Sequence, residues 1–468
     1  MLHGSGQTTP NSPNAGFGAG AQNTQFFDNF NTKFTGFETL TNAVLYKKSP
    51  SFFEHFDAEA ALAINVLELS NGTLGLSDNS SYVRVNFRPT GWGENENISF
   101  TGFPVSADRF RLGYAYRISW GGSSAFTTRA AADGVPGGKL LIQRDRWYAF
   151  VGMKTALIFN DLIQEKERAY GYLAGAGFDI TRNLRIEFDG GYFGRGIIPA
   201  LADQGVVAPV NAAGISGQIV WHVGVPVGTS IDFQLYRNDP DLYQRFFLPE
   251  QYPGGLSYSI SLEGSYLAQT LSNPDVFAQT KIQPAEAFAL QARMKYNFLR
   301  LGLIGLYRTL SYIMFDVPGI PPYQDFPAGT KLQPETFVAL NADYHFPSIH
   351  LTPGLVFGVQ NPATYKSPSS LLGGNNPPAG FTGSRTVVVR DANGSTNTLP
   401  TNTAAIPIFS AKATVKLDIS DYFAFIGAIY YTRDPNRTTF RDSVSGVAEP
   451  SFESPDQLGF NLVLNARF

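Results

Sequence analysis

The residues suited to proton transfer near neutral pH are five histidines, His3, His55, His222, His345 and His350,. His345 and His350 flank one short stretch, but two imidazoles without a third ligand fall short of a metal site. Cysteine is absent, which excludes thiolate ligands and disulfides,. No Gly-x-Ser-x-Gly turn, phosphate-binding loop or dinucleotide fingerprint stands where its chemistry would need it. The sequence therefore predicts no catalytic residue, no metal and no cofactor. What remains is electrostatics. Arg84, Arg88, Arg109, Arg111, Arg117, Arg185, Arg293, Lys295, Lys412, Lys416 and Arg467, with the acids Asp57, Glu59, Glu187, Asp189, Asp232 and Asp418, recur at alternate positions of apolar segments. Charges so spaced set the potential an ion feels and do not turn over a substrate.

The elements that position them have period two, the period of a strand. Phe56, Ala58, Ala60, Leu62, Ile64 and Val66 oppose Asp57, Glu59 and Asn65; Val83, Val85 and Phe87 oppose Arg84, Asn86 and Arg88. Phe110, Leu112, Tyr114, Tyr116, Ile118 and Trp120 oppose Arg109, Arg111, Arg117 and Ser119, which predicts a strand there. The rule continues through Leu184–Asp189, Ser230–Leu235, Phe288–Phe298 and Ala411–Asp418. Each segment has one apolar and one polar or charged face. Gly171, Gly175 and Gly177 fall inside such a segment, where they point to close packing and not to phosphate binding.

Connections alternate as well. Tight links at 144–145, 181–183, 225–228, 297–299, 347–348 and 420–421 alternate with long ones near 122–136, 195–209, 270–282, 316–333, 361–403 and 434–456. Consistent up-and-down order gives about 18 strands, with about 16 as the other count, once weak strands at Gly137–Gln143 and Tyr243–Pro249 are included. Thr90–Ala107 is then a long connection on the tight-link side, with no evident reason. Aromatics gather at strand ends: Trp147, Tyr148, Trp221, Phe298, Phe346, Tyr422 and Phe468 near the tight links, and Trp120, Tyr192, Tyr312, Tyr430 and Tyr431 near the other rim.

Composition narrows the class. The chain has 468 residues and a formal charge of -3 from 35 Lys+Arg against 38 Asp+Glu, which removes nucleic acid as a partner,. Aromatics make up 14% and charged residues only 16%, the mixture expected when an apolar face meets lipid,. No stretch approaches the roughly 18 apolar residues of a membrane helix. The first residues lack a basic region followed by an apolar core, so a mature chain without its leader is expected.

Leu458 to Phe468 alternate strictly and end on an aromatic, with Leu458, Phe460, Leu462, Leu464, Ala466 and Phe468 on one face. This resembles the terminal strand of Gram-negative outer-membrane β-barrels of the porin-like class. The resemblance covers roughly residues 55–468 and implies an all-β fold: a large antiparallel transmembrane β-barrel in the outer membrane, passing small hydrophilic solutes passively or with weak selectivity. It implies outer-membrane lipid and the barrel assembly machinery as partners, with Phe468 as the assembly signal. Barrel enzymes that this class resembles carry their catalytic groups at the external rim or the lipid face. His222, His345 and His350 lie beside tight links instead, so no enzyme is expected.

In such a barrel the charged face lines the lumen. An excess of Arg would bias the pore toward anions; Arg and carboxylates paired across strands would only stiffen the wall. Residues 1–54 form an expected N-terminal arm, flexible to about residue 25, with Thr35 and Glu38 at capping-box spacing ahead of a short helix over Thr39–Lys47, placed as plug or periplasmic element. The 361–403 loop contains the hairpin pattern Arg385–Arg390 followed by Asp391–Gly394, and either enters the pore or projects outward. Two other functions fit the pattern: a β-barrel anchor or scaffold in an envelope-spanning assembly, as a homo-oligomer or with an envelope protein partner, and a transporter of hydrophobic substrates with the arm as hatch.

Overall fold

The computed structural model describes residues 14–21, 38–68, 74–78, 80–93, 96–108, 110–115, 118–126, 134–160, 163–202, 204–224, 254–315, 323–366, 384–388, 396–420, 423–442 and 448–467. Most of these residues are in strands, and the helices among them are short. In chain order the strands are β1 Asn14–Ala21, β2 Glu38–Phe53, β3 Phe56–Glu68, β4 Leu74–Asp78, β5 Tyr82–Phe87, β6 Asn97–Phe103, β7 Gly137–Gln143, β8 Trp147–Asn160, β9 Glu165–Asp179 and β10 Leu184–Ile197. There follow β11 Pro209–Val223, β12 Leu256–Ser272, β13 Thr280–Tyr296, β14 Leu299–Arg308, β15 Lys331–Gln333, β16 Glu335–Tyr344, β17 Leu351–Asn361, β18 Ala363–Lys366, β19 Thr386–Val388 and β20 Thr396–Thr398. The last are β21 Ile408–Asp418, β22 Phe423–Arg433, β23 Thr438–Asp442, β24 Ala448–Phe452 and β25 Asp456–Arg467.

One antiparallel sheet holds nineteen of them. Its ladder follows chain order, skipping β15, β18–β20, β23 and β24, which form two small sheets at the ends of long connections. β25 pairs with β22 on one side and with β1 on the other, from Asn14 opposite Arg467 to Ala21 opposite Phe460; β1 pairs in turn with β2. β3 has both β4 and β5 along its other edge.

Period two divides the sheet into an exposed and a buried face. Val151, Met153 and Leu157 of β8, Ile260 and Leu262 of β12, and Leu355, Phe357 and Val359 of β17 are large, apolar and exposed. Their strand neighbours turn to the other face, where Phe150, Lys154, Glu263 and Gln360 are buried.

Several expectations are corrected. Thr39–Lys47 lies in β2, not in a helix: all nine of its residues pair with β3, and ladder hydrogen bonds to a long partner outweigh the weak helical preference of a short segment,. The proposed boundary at residue 54 falls in the tight turn joining β2 to β3, and β1 occupies part of the expected flexible region. Thr35, the expected capping residue, lies outside the described residues.

Phe110–Trp120 is not a strand of the sheet. Gly113 and Gly121 take φ of 86° and 78°, which breaks an extended run, and Leu112 and Trp120 form an isolated bridge with each other,. The ladder position goes to β6, inside the unexplained Thr90–Ala107 link. The described residues of 107–126 instead lie against the buried face. The expected strands in 230–235 and 243–249 fall outside the described residues. The small hairpin is present as β19 paired with β20.

Candidate functional site

The buried face is laced by charge pairs between neighbouring strands. Arg84 on β5 meets Glu59 on β3 at 2.9 Å, and its Nε donates to Thr101 on β6. Arg185 on β10 makes a two-point contact with Asp179 on β9 at 2.5 and 2.7 Å. Arg300 on β14 donates to Asp343 on β16 at 2.5 Å, Arg308 on β14 contacts Glu335 on β16 at 2.7 Å, and Lys416 meets Asp418 two residues along β21 at 2.8 Å. Paired charges of this kind cost less to bury than single ones.

Of these residues Arg84, Glu59, Arg185, Lys416 and Asp418 were expected, and Asp179, Arg300, Asp343, Arg308 and Glu335 were not; the remaining expected residues fall into different settings. Lys412 is buried with its ammonium 5.0 Å from the Tyr430 ring centroid. Arg293 and Lys295 occupy the same face of β13, half-buried, with Arg293 donating to Gln291 at 2.9 Å. Glu187 is sealed on β10 and accepts from the Tyr148 hydroxyl at 2.9 Å and from the Gln218 amide. Arg88 lies beyond the end of β5, exposed, with its backbone N–H donating to the His55 carbonyl. Arg111 belongs to the segment on the buried face and donates to the Ser119 carbonyl at 3.1 Å. Arg109, Arg117, Asp232 and Phe468, and the side chain of Arg467, lie outside what is described.

The segment 104–126 supplies what the sequence reading missed. Its carbonyls at Ala107 and Gly121 accept from the ammonium of Lys154, a β8 side chain with no exposed surface, at 2.5 and 2.9 Å. Its backbone N–H groups at Gly113, Tyr114 and Ala115 donate to Asp189 Oδ2 at 2.8 Å, Glu263 Oε1 at 2.8 Å and Glu263 Oε2 at 2.5 Å. Trp120 Nε1 donates to Ser216 on β11 at 2.9 Å, and Ser216 is bonded to Ser265 on β12 at 2.8 Å. The Tyr312 hydroxyl, on the short helix Leu310–Phe315, donates to the Ile118 carbonyl.

Apolar contacts complete the packing. Trp120 stands edge-on to Phe193 and Phe315 with centroids 5.8 and 6.4 Å away, and Phe110 packs between Phe103 and Phe150. β9 makes room with glycine: a Cβ on Gly171 would strike Phe193, one on Gly175 would strike Phe150, and one on Gly177 would strike Tyr148. These glycines serve close packing, as their place within a strand indicated. The sequence did carry a trace of the segment's dock, since Ser257, Ser259, Ser261, Glu263 and Ser265 put small polar groups on one face of β12.

Exposure on this face varies along the strands, with Ser257, Asp343 and Thr352 buried even beside the tight turns. Toward the long connections Arg195, Gln269, Gln283, Arg308, Glu335, Gln360, Ser410 and Thr432 are all buried. Toward the tight turns Asp57, Arg185, Gln291, Arg293, Lys295 and Lys416 keep partial solvent contact. Of the aromatics gathered at strand ends, Tyr148, Trp120, Tyr312 and Tyr430 are buried on the inside of this packing, whereas Trp147, Trp221, Phe346 and Tyr192 are exposed. For the rings on strands, Trp147, Tyr148, Tyr192, Trp221 and Tyr430, period two decides which face each takes,.

At the tight-turn end, Glu96 accepts from Arg144 Nε at 2.8 Å and from the backbone N–H groups of Gly93 and Asp145 at 2.8 and 3.0 Å. These donors hold its carboxyl down to about 2. Arg144 also lies 4.2 Å from the Trp92 ring centroid. His345 bonds Thr352 Oγ1 at 2.9 Å, and partial burial lowers its imidazole from the ordinary value. Among the described residues no group of three or more His, Asp or Glu could hold a metal ion. No described helix is long and apolar enough to cross a membrane, which says nothing of strands.

No protein-family model matches the chain, and no curated protein matches it significantly. Solved structures similar to it include OccK11 (OpdR) of Pseudomonas aeruginosa, at 9% identity and a TM-score of 0.47, covering 98% of this chain and 95% of that one. OprD of Pseudomonas aeruginosa is similar at 10% identity and a TM-score of 0.47, covering 98% and 93%. Wzi, an outer-membrane carbohydrate-binding β-barrel of Escherichia coli involved in group 1 capsule assembly, is similar at 10% identity and a TM-score of 0.45, covering 98% and 85%. With about a tenth of the residues identical and overlaps this loose, the likenesses carry no argument about cargo or mechanism.

Proposed function

We propose that the chain is an outer-membrane β-barrel of porin-like architecture that passes small hydrophilic solutes through its interior. The observation that carries this reading is the inverted polarity of one long sheet: large apolar side chains on the exposed face, ion pairs on the buried one, and β1 paired with β25. A soluble sandwich puts its charges outside. Lipid reverses the order, and a closed sheet leaves no edge in the bilayer.

Nineteen strands, with β4 and β5 sharing one position beside β3, make a ring of eighteen positions, the even number of an up-and-down barrel,. A ring of that size is too wide for wall side chains alone to fill. Assigning the tight turns to the periplasm and the long connections to the exterior follows the usual asymmetry of bacterial barrels. Arg293, Lys295, Lys416 and Asp57 then line the part of the lumen open to the periplasm. The reading assigns no enzymatic role.

The packing of 104–126 against the buried face favours a second reading, a barrel that serves as anchor or scaffold subunit in the envelope. Planar-bilayer conductance separates the two. Discrete, salt-dependent steps from the purified protein, or from a variant lacking residues 110–120, support the channel; silence from both, with the barrel folded, overturns it in favour of the scaffold.

A further inference from the structure

We infer that residues 104–126 form a hinged plug latched by the carboxylate of Glu263. The inference rests on the channel reading for its meaning, but the latch itself stands on geometry. Glu263 sits in the middle of β12 and reaches two consecutive backbone N–H groups of the segment, at Tyr114 and Ala115, one with each oxygen. Asp189 on β10 takes the preceding N–H, at Gly113. Three successive amides are thus held by two carboxylates from strands that flank β11.

Two properties mark this contact as a latch and not as ordinary core. First, the donors are neutral backbone groups. Glu263 and Asp189 stand on the strands either side of β11, so the repulsion between the two carboxylates opposes the closed state that the amides favour,. Second, the segment has the hinges it needs. Gly113 and Gly121 bracket the latched turn with positive φ, and Gly134 at φ 125° lies next to the contact in which Ala107 N–H donates to the Val135 carbonyl and ties the two stems together. Gly113 is also fixed by space, because a Cβ there would approach Glu263 Oε1 to 2.9 Å. Lys154 and the Trp120 contact with Ser216 hold the base, and Leu112 is bridged to Trp120, so release of the latch swings the turn that carries Gly113, Tyr114 and Ala115.

The absence of cysteine allows a direct test. Ala115→Cys places a single, buried thiol under the latch. Labelling by a membrane-impermeant maleimide is measured on the full chain, with heat-modifiable gel migration as the check of folding. Glu263→Ala in this background is expected to speed labelling at least tenfold and to raise single-channel conductance. Faster labelling without conductance upholds the latch and overturns the channel reading. Should Glu263→Ala fail to fold, Glu263→Gln and Asp189→Asn are read in the same way. Labelling as slow in every folded variant as in the Ala115→Cys parent overturns the latch.

Discussion

Arg308 and Glu335 face each other across β14 and β16 with each side chain 2% exposed, and the guanidinium Nη2 touches both carboxylate oxygens, at 2.7 and 2.9 Å. Gln360 on β17 adds a third donor to the same carboxylate at 2.6 Å, so one buried acid ties three successive strands together. Removing the cation alone leaves a buried charge with only an amide partner. Arg308→Ala is therefore expected to destabilise the protein by about 3–5 kcal/mol, whereas the double change Arg308→Met with Glu335→Leu restores most of that loss. Urea unfolding in detergent, followed by tryptophan fluorescence, measures both; equal losses in the two variants would count against the pair as described.

Gly177 tests the packing on β9. An added Cβ meets the Tyr148 ring and lies 3.0 Å from Glu187 Cγ, and both neighbours are sealed. Gly177→Ala is expected to cost about 1–3 kcal/mol, the range for overfilling a packed site. Gly205, whose Cβ would meet nothing, is a poor control because its φ is 74°. Gly217, with its nearest atom 3.6 Å away, is the better one. Thermal loss of the compact gel form compares them, and similar midpoints for both substitutions would reject the steric account.

The turn at Glu96 gives a pH dependence of fixed sign. Its folded-state value of about 2 lies below the ordinary 4.5, so its contribution is fully present above about pH 4.5 and is lost as pH falls through 2,. Trp92, stacked by Arg144, reports the change. The difference in emission between the parent and Trp92→Phe should titrate with a midpoint near 2, and Arg144→Gln should move that midpoint upward. A midpoint near 4.5 in the parent would contradict the hydrogen-bonded geometry.

Lys295 tests the proposed lumen. It lies on the same face of β13 as Arg293 and keeps partial contact with solvent. Lys295→Glu should shift the cation-to-anion permeability ratio toward cations by roughly twofold or more, since a charge in a confined polar channel weighs heavily on the local potential. Arg88→Glu, at an exposed position past the end of β5, should move it much less. Reversal potentials in a salt gradient give the ratio; an identical shift from both substitutions would remove Lys295 from the conducting path.

Strand positions were legible wherever a segment had one partner on each side and lipid-like surroundings on one face, as in β8, β13 and β21. Alternation fails at Phe110–Trp120 because the same apolar period serves a segment packed against aromatic rings as well as one facing lipid. Local pattern cannot tell those surroundings apart. β2 was hidden for a related reason: Thr39–Lys47 has no strong preference of its own and takes its conformation from β3. Some charged residues of the buried face could be read, among them Arg84, Arg185 and Lys416, but Arg88 is exposed, and Lys154, Arg308, Glu335 and Asp343 on the same face were not singled out. Glu263 could not, because its role depends on two amides about 150 positions earlier in the chain, and backbone donors leave no mark on residue identity,.

The pairing of β1 with β25 has a bearing on biosynthesis. These are the first and last described strands, and residues 14–21 lie opposite 460–467. Until β25 is made, β1 and β22 each present a row of unsatisfied backbone groups, the kind of edge that recruits other chains. A message truncated anywhere before residue 456 would thus yield a product with two adhesive margins. Synthesis of β25 and loss of those margins are one event, so both edges wait on the last described strand.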